Sequence, residues 1–210
     1  MLTRSIKVSA VDAPIIVDAA RLIKAGELVA FPTETVYGLG ANGLNADACQ
    51  KIFAVKGRPP DKPLSLHVST IEMIDRIAHI TPAAERLIKK FLPGPLTLIL
   101  QKKSIVPNEV TRGLPTVGIR MPDNDIARAL IEAAGVPIAA PSANLSGRPS
   151  PTTAQAVMSE LDGLIPLILD GGECSIGISS TIVDVATMKI LRAGSITVEM
   201  IENVFKECIL

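Results

Sequence analysis

Residues 31–69 read FPTETVYGLGANGLNADACQKIFAVKGRPPDKPLSLHVS, and the way they parse decides the fold. The apolar run Leu28 to Phe31 predicts a buried strand that Pro32 ends. A Pro-Thr-Glu-Thr turn follows, and then a glycine-rich loop. Cys49, Ile52 and Phe53 fall at helical spacing, so Ala46 to Lys56 is read as a helix. Gly57 to Pro63 is a proline-stiffened basic loop, and Leu64 to Ser69 alternates as a strand. Gly38, Gly40 and Gly43 match the G-x-G-x-x-G pattern of dinucleotide sites, but two requirements fail. The helix begins only after Asn45, past the glycines, and the acidic residue expected about 20 positions on is absent, position 58 being Arg. The simpler reading is that the glycines let the backbone turn sharply or approach a ligand. The P-loop pattern G-x-x-x-x-G-K-[ST] occurs nowhere.

On either side of this stretch, strands and helices alternate. Ser5 to Val8 reads as a strand, and Asp12 is a candidate N-cap for a helix carrying Ile15, Ala19, Leu22 and Ile23, which Gly26 stops. Thr81-Pro82 caps a second helix with Ala84, Leu87, Ile88 and Phe91 on one face. Leu96 to Leu100 is a buried strand, and Lys102 to Pro115 a polar surface loop. In Thr116 to Met121, Thr116, Gly118 and Arg120 share one face, opposite Val117, Ile119 and Met121. Asp123 is read as the cap of a helix ending at Gly135, and Pro137 to Ala140 as a strand. Thr152 or Thr153 caps another helix after the polar loop Pro141 to Pro151. Strands at Leu167 to Leu169, Thr181 to Val185 and Lys189 to Arg192, and a helix carrying Val198, Ile201, Val204 and Phe205, complete the chain. The expectation is one α/β domain over residues 1–210, with helices packed on a sheet that need not be strictly parallel.

Composition narrows the function classes. Hydrophobic residues make up 48% of 210, enough for a sizeable core. Lys and Arg number 21, as do Asp and Glu, and this neutral balance argues against broad phosphate-backbone binding. Aromatics are 2%, with no Trp and one Tyr, so base-stacking platforms are scarce. Cys49, Cys174 and Cys208 form no C-x-x-C pair, which fits a reducing compartment better than a disulfide or zinc framework. Charges spread through the first 30 residues exclude a secretory signal, and no apolar run approaches the roughly 18 residues of a membrane span. The expected location is cytoplasmic, away from membranes.

Within the opening stretch, Lys56 continues the apolar stripe of its helix. Taken alone it fits a lysine snorkelling beside the helix terminus. From Lys51 to Lys62, however, four cations face one acid, a net of +3, and prolines hold the loop rigid. Lys56, Arg58 and Lys62 together therefore read as an anion site. In the following strand Ser65, His67 and Ser69 share a face that belongs to solvent or to a cleft. Thr33 and Thr35 place two hydroxyls on one side, which suits either a turn cap or a small polar ligand. Ser142 and Asn144 are also two apart, in a loop that runs into a helix N-terminus. Ser142 sits in no G-x-S-x-G elbow and has no nearby Asp or His in sequence, which disfavours a serine hydrolase.

These residues carry a resemblance. Pro32-Thr33-Glu34-Thr35-Val36-Tyr37-Gly38-Leu39, Lys56-Gly57-Arg58 with Lys62-Pro63-Leu64, and Ser142-Ala143-Asn144 with Ser146-Gly147 resemble the YrdC-like family of threonylcarbamoyl-AMP synthases. The likeness continues through Val117 to Arg120 and Ser179 to Asp184 to Leu191-Arg192-Ala193-Gly194. It implies an open, twisted, mixed sheet with flanking helices around a concave basic cleft. It also implies that L-threonine, bicarbonate or CO2, and ATP give threonylcarbamoyl-AMP and pyrophosphate, with Mg2+ accompanying ATP. A separate threonylcarbamoyl transferase would then modify tRNA, which this chain would touch only indirectly or weakly. The resemblance implies nucleotide contacts for Lys56, Arg58, Lys62, Thr116, Asn144, Thr152 and Arg192. Thr33, Thr35, His67, Arg120, Ser142 and Ser180 would surround threonine and the carbamate, with Lys56, Arg58, Ser142 and Asn144 closest to the chemistry. Some members carry a further C-terminal domain whose linker closes over the site, and ending at Leu210 this chain resembles the short, single-domain form. Two competing readings are a non-catalytic module for double-stranded RNA and a carbamoyl transferase that forms a carbamoyl adenylate on another substrate.

Overall fold

The computed structural model describes residues 2–11 and 13–206. In chain order the elements are β1 (Arg4–Lys7), α1 (Pro14–Lys24), β2 (Val29–Phe31), β3 (Gly38–Asn42), α2 (Ala46–Lys56), β4 (Ser65–His67), α3 (Ile71–Ile77), α4 (Pro82–Phe91) and β5 (Leu96–Gln101). They continue with α5 (Asn108–Thr111), β6 (Thr116–Arg120), α6 (Asp125–Ala134), β7 (Ile138–Ala139), α7 (Ala154–Leu161), β8 (Leu167–Asp170), β9 (Thr181–Asp184), β10 (Lys189–Arg192) and α8 (Val198–Lys206).

The strands form one sheet in the order β1-β8-β2-β3-β7-β4-β6-β5-β9-β10. Pairing is mixed: β1–β8, β8–β2, β4–β6 and β5–β9 are parallel, and the remaining neighbours antiparallel. Side-chain alternation along the strands builds a core on each face. On one face Ala30, Leu66, Leu98, Ile119, Ile168 and Val183 meet the apolar stripes of α2, α3, α4, α5, α7 and α8. On the other, Val29, Phe31, Ile138, Leu167 and Leu169 meet α1 and α6. That second core draws nothing from β4, β5, β6 or β9 among the described residues. Half of this face is therefore left without helices, and the polar residues of those four strands point into the resulting recess.

Several local expectations need correction. The segment Gly38 to Gly43 was expected as a loop, yet Gly38–Asn42 is a central strand. A Cβ on Gly40 would lie 2.8 Å from the Phe31 ring and 2.9 Å from Ile138 Cγ2, so the glycine reflects tight packing between strands. The expected surface loop 102–115 contains α5 and buries Val106, Val110 and Thr111. Helix α3 was not foreseen; Thr70 caps it by accepting from Met73 N. Asn124, not Asp123, caps α6, whereas the cap of α7 is Thr153, one of the two threonines expected there. Asp12 lies outside the described residues; Ala13 occupies the cap position of α1 and makes no side-chain cap. Among the described residues no helix is long and apolar enough to cross a membrane.

Candidate functional site

The uncovered half of the sheet is the floor of a cavity. His67 and Arg120 are register partners across β4 and β6, and Thr97 and Ile182 across β5 and β9; all four line it. Ser65 joins them from β4, and Ser179, Ser180 and Arg192 close one side. Opposite stand Val36, Tyr37 and Gly38 with Pro141, Ser142 and Ser150, while Arg58 and Pro63 form the rim after α2. Three arginines thus converge on a lining that contains no carboxylate among the described residues.

Each cation is held differently. Arg58 donates from Nε to Lys62 O (3.1 Å) and from Nη2 to Pro63 O (2.8 Å), which locks the guanidinium onto its own loop. Burial lowers its affinity for the proton, and Asp61 opposes that effect. Arg192 donates to Ser180 O (2.9 Å) and to Ser180 Oγ (3.0 Å), and Ser180 Oγ lies 2.8 Å from Thr97 Oγ1. Burial, and then the Arg120 charge, shift Arg192 the same way. Arg120 forms a buried ion pair with Glu34, Nη2 to Oε2 2.7 Å, the side chains 5% and 6% exposed. The contact is short but off hydrogen-bond geometry: both Glu34 oxygens and Arg120 Nε lack hydrogen-bond partners. His67 packs edge-on to Phe31, and burial followed by the Arg120 charge holds it well below 6.5, so it is neutral at pH 7.

Lys56 is almost fully buried, as its place on the α2 stripe requires. Its Nζ donates to Ser142 O at 2.5 Å and to Asn144 O, and Ser146 N returns a bond to Lys56 O at 2.8 Å. Lys56 therefore clamps the Ser142 loop from behind the cavity wall. Burial, with the Arg58 charge adding and Glu160 opposing, brings its ammonium down to about 8. Asn144 also turns away from the cavity: Nδ2 donates to Leu145 O and Arg148 O, both at 2.8 Å. Thr33 serves as a turn cap. Its hydroxyl donates to Val36 O (2.7 Å) and accepts from Thr35 N and Val36 N (both 3.2 Å). Thr35 Oγ1 lies 3.0 Å from the Thr33 hydroxyl.

Of the expected site residues, Arg58, His67, Arg120, Ser142, Ser180 and Arg192 share the cavity. Lys56, Asn144, Thr33 and Thr35 are buried behind its wall. Lys62 is exposed, Thr116 and Thr152 are half-buried, and none of the three lines the cavity. Glu34, Thr97 and Ser179 were missed. A lone acid in a turn and a threonine inside the apolar run LTLIL carry no sequence signal. Only the parity of β5, which puts Thr97 opposite Leu96 and Leu98, could have found the second.

Fold and site define an α/β protein with a cationic, hydroxyl-lined cleft on the uncovered half of a mixed sheet. A family model for Sua5, YciO and YrdC, described as telomere recombination, matches residues 21–194. The chain belongs to this family. It is 52% identical over 195 residues to the threonylcarbamoyl-AMP synthase of Bacillus subtilis, covering 91% of this chain and 56% of that protein. It is 51% identical over 192 residues to that of Pyrococcus abyssi, covering 90% and 56%. A crystal structure of P. abyssi Sua5 complexed with L-threonine superposes with a TM-score of 0.93 at 47% identity, over 99% of this chain and 62% of that one. The chain thus spans little more than half the length of these curated relatives.

Proposed function

We propose that the chain forms threonylcarbamoyl-AMP and pyrophosphate from L-threonine, bicarbonate or CO2, and ATP. The observation that carries this reading is the convergence of Arg58, Arg120 and Arg192 with Ser142, Ser180 and His67 in one recess. Relatives named threonylcarbamoyl-AMP synthase, and one solved with L-threonine, support it.

The threonine amine adds to CO2, giving a carbamate and releasing a proton. A carbamate oxygen then attacks the α-phosphorus of ATP, and pyrophosphate leaves. Both steps need position and charge stabilisation more than a strong acid or base. Arg58 and Arg192 would neutralise charge on the nucleotide, with Lys62 exposed beside Arg58 for the outer phosphates. Arg120 would take the threonine carboxylate on its planar fork, flanked by Ser180 and His67. Lys56 and Asn144 would act through the Ser142 loop that they hold in shape, and Thr33 and Thr35 through the turn beside Arg120. Thr116 and Thr152 are assigned to the nucleotide on family resemblance. Among the described residues no three His, Cys, Asp or Glu side chains gather to hold a metal. Mg2+ would therefore be bound mainly by phosphate oxygens and water, neutralising charge on the leaving pyrophosphate.

On this reading residues 1–210 are a single YrdC-like domain acting in the cytoplasm, and the product passes to a separate transferase that modifies tRNA. The test is pyrophosphate release with each substrate omitted in turn. Release should require threonine, bicarbonate and ATP together; release indifferent to threonine would refute the proposal.

A further inference from the structure

We propose that Glu34 is an internal counter-ion that makes Arg120 selective for a zwitterionic α-amino acid over an otherwise similar acid lacking the ammonium. This rests on the reading of the cavity as an amino-acid site.

The three lining arginines are not equivalent. Arg58 and Arg192 donate only to carbonyls and a hydroxyl and form no ion pair among the described residues. They keep their net charge and suit phosphate. Arg120 alone is compensated by a carboxylate, 2.7 Å away and equally buried. The Arg120–Glu34 unit is neutral, and His67 beside it is neutral as well.

A carboxylate entering this subsite meets Arg120 in the lining and feels the Glu34 charge paired with it behind the wall. Attraction to the guanidinium is opposed by repulsion from Glu34, and burial of both strengthens each effect. An α-ammonium on the same molecule offsets that repulsion. A zwitterion therefore satisfies the pair, whereas a simple anion leaves Glu34 facing a like charge. The polar inventory agrees. Glu34 Oε1 and Oε2, Arg120 Nε and His67 Nδ1 are all buried without a hydrogen-bond partner. Buried polar atoms are normally satisfied; with both Glu34 oxygens unpaired and Glu34 itself outside the cavity lining, its charge acts on a ligand through Arg120 and across the wall. Glu34 is held to this task by its backbone: its carbonyl accepts from Ile176 N at 2.8 Å, tying the Pro-Thr-Glu-Thr turn to the loop before β9.

The test is calorimetric titration of the full chain with L-threonine and with 2,3-dihydroxybutanoate, in which a hydroxyl replaces the amine. Wild type should bind threonine at least 30-fold more tightly. Glu34→Gln keeps the shape and removes the charge, and should shrink that ratio at least tenfold, partly by tightening the deaminated acid. Glu34→Asp should retain most of the ratio. A folded Glu34→Gln variant with the wild-type ratio overturns the assignment. Should that variant fail to fold, the wild-type ratio decides, and a value near one overturns it. No binding of threonine to wild type would remove the amino-acid reading as well, so the two failures are distinguishable.

Discussion

Replacing Lys56 by Met retains most of the buried stem and deletes the ammonium that clamps the Ser142 loop. The ammonium sits at about 8 in the folded chain against 10.5 ordinarily, with burial as the main cause. Below pH 8 both folded and unfolded chains carry the proton, and keeping it in the folded chain costs about 3 kcal/mol. The two charge-assisted bonds to Ser142 O and Asn144 O, worth about 1.5–3 kcal/mol each, offset that cost. Net stability at pH 7 should therefore change by less than about 3 kcal/mol, although the loop loses both anchors. The pH dependence is the sharper signature. As pH rises through 8 the folded chain releases this proton, while the unfolded chain keeps it until about 10.5. The unfolded state then binds more protons, so stability rises with pH. Integrated from pH 7 to pH 10, wild type should gain about 2–3 kcal/mol relative to Lys56→Met. Urea denaturation of both chains at the two pH values measures the difference, and other titrating groups cancel between them. Parallel pH dependence would refute the account of Lys56 as a buried, charged clamp.

Three further outcomes follow from the geometry. Arg58→Ala should lower pyrophosphate formation about 100-fold while leaving the thermal unfolding midpoint nearly unchanged, because its bonds are confined to its own loop; near-wild-type turnover would remove Arg58 from the chemistry. Gly40→Ala should destabilise by about 1–3 kcal/mol in urea, since the added methyl meets Phe31 and Ile138 at under 3 Å. Thr97→Val keeps the shape and removes the contact to Ser180, so it should cost about 1 kcal/mol and weaken threonine binding measured calorimetrically; unchanged binding would exclude Thr97 from the subsite.

Sequence reading recovered elements whose side chains alternate or recur, and missed those whose role is set by a neighbour. Helix α2 was legible because Cys49, Ile52 and Phe53 mark its stripe, and the same spacing placed Lys56 inside. The faces of β4 and β6 were legible from period two, which put His67 and Arg120 on polar sides. Strand β3 was not, because GLGAN has almost no side-chain pattern and its glycines answer to Phe31 and Ile138 across the sheet.

The sequence by itself determined the α/β class, the rigid basic loop and the list of polar residues from which a site would be built. Each follows from spacing along a few residues of chain, where backbone geometry alone dictates which side chains share a face. Only the tertiary structure decided which of those residues meet. The order β4-β6-β5-β9, and the absence, among the described residues, of helices over those strands on the α1/α6 face, turn four polar strand faces into one cavity floor. It also decided that Lys56 grips a loop 86 residues away and that Arg120 is neutralised by Glu34 in a distant turn. Such pairings depend on strand order and register between segments far apart in the chain, and no local period encodes them.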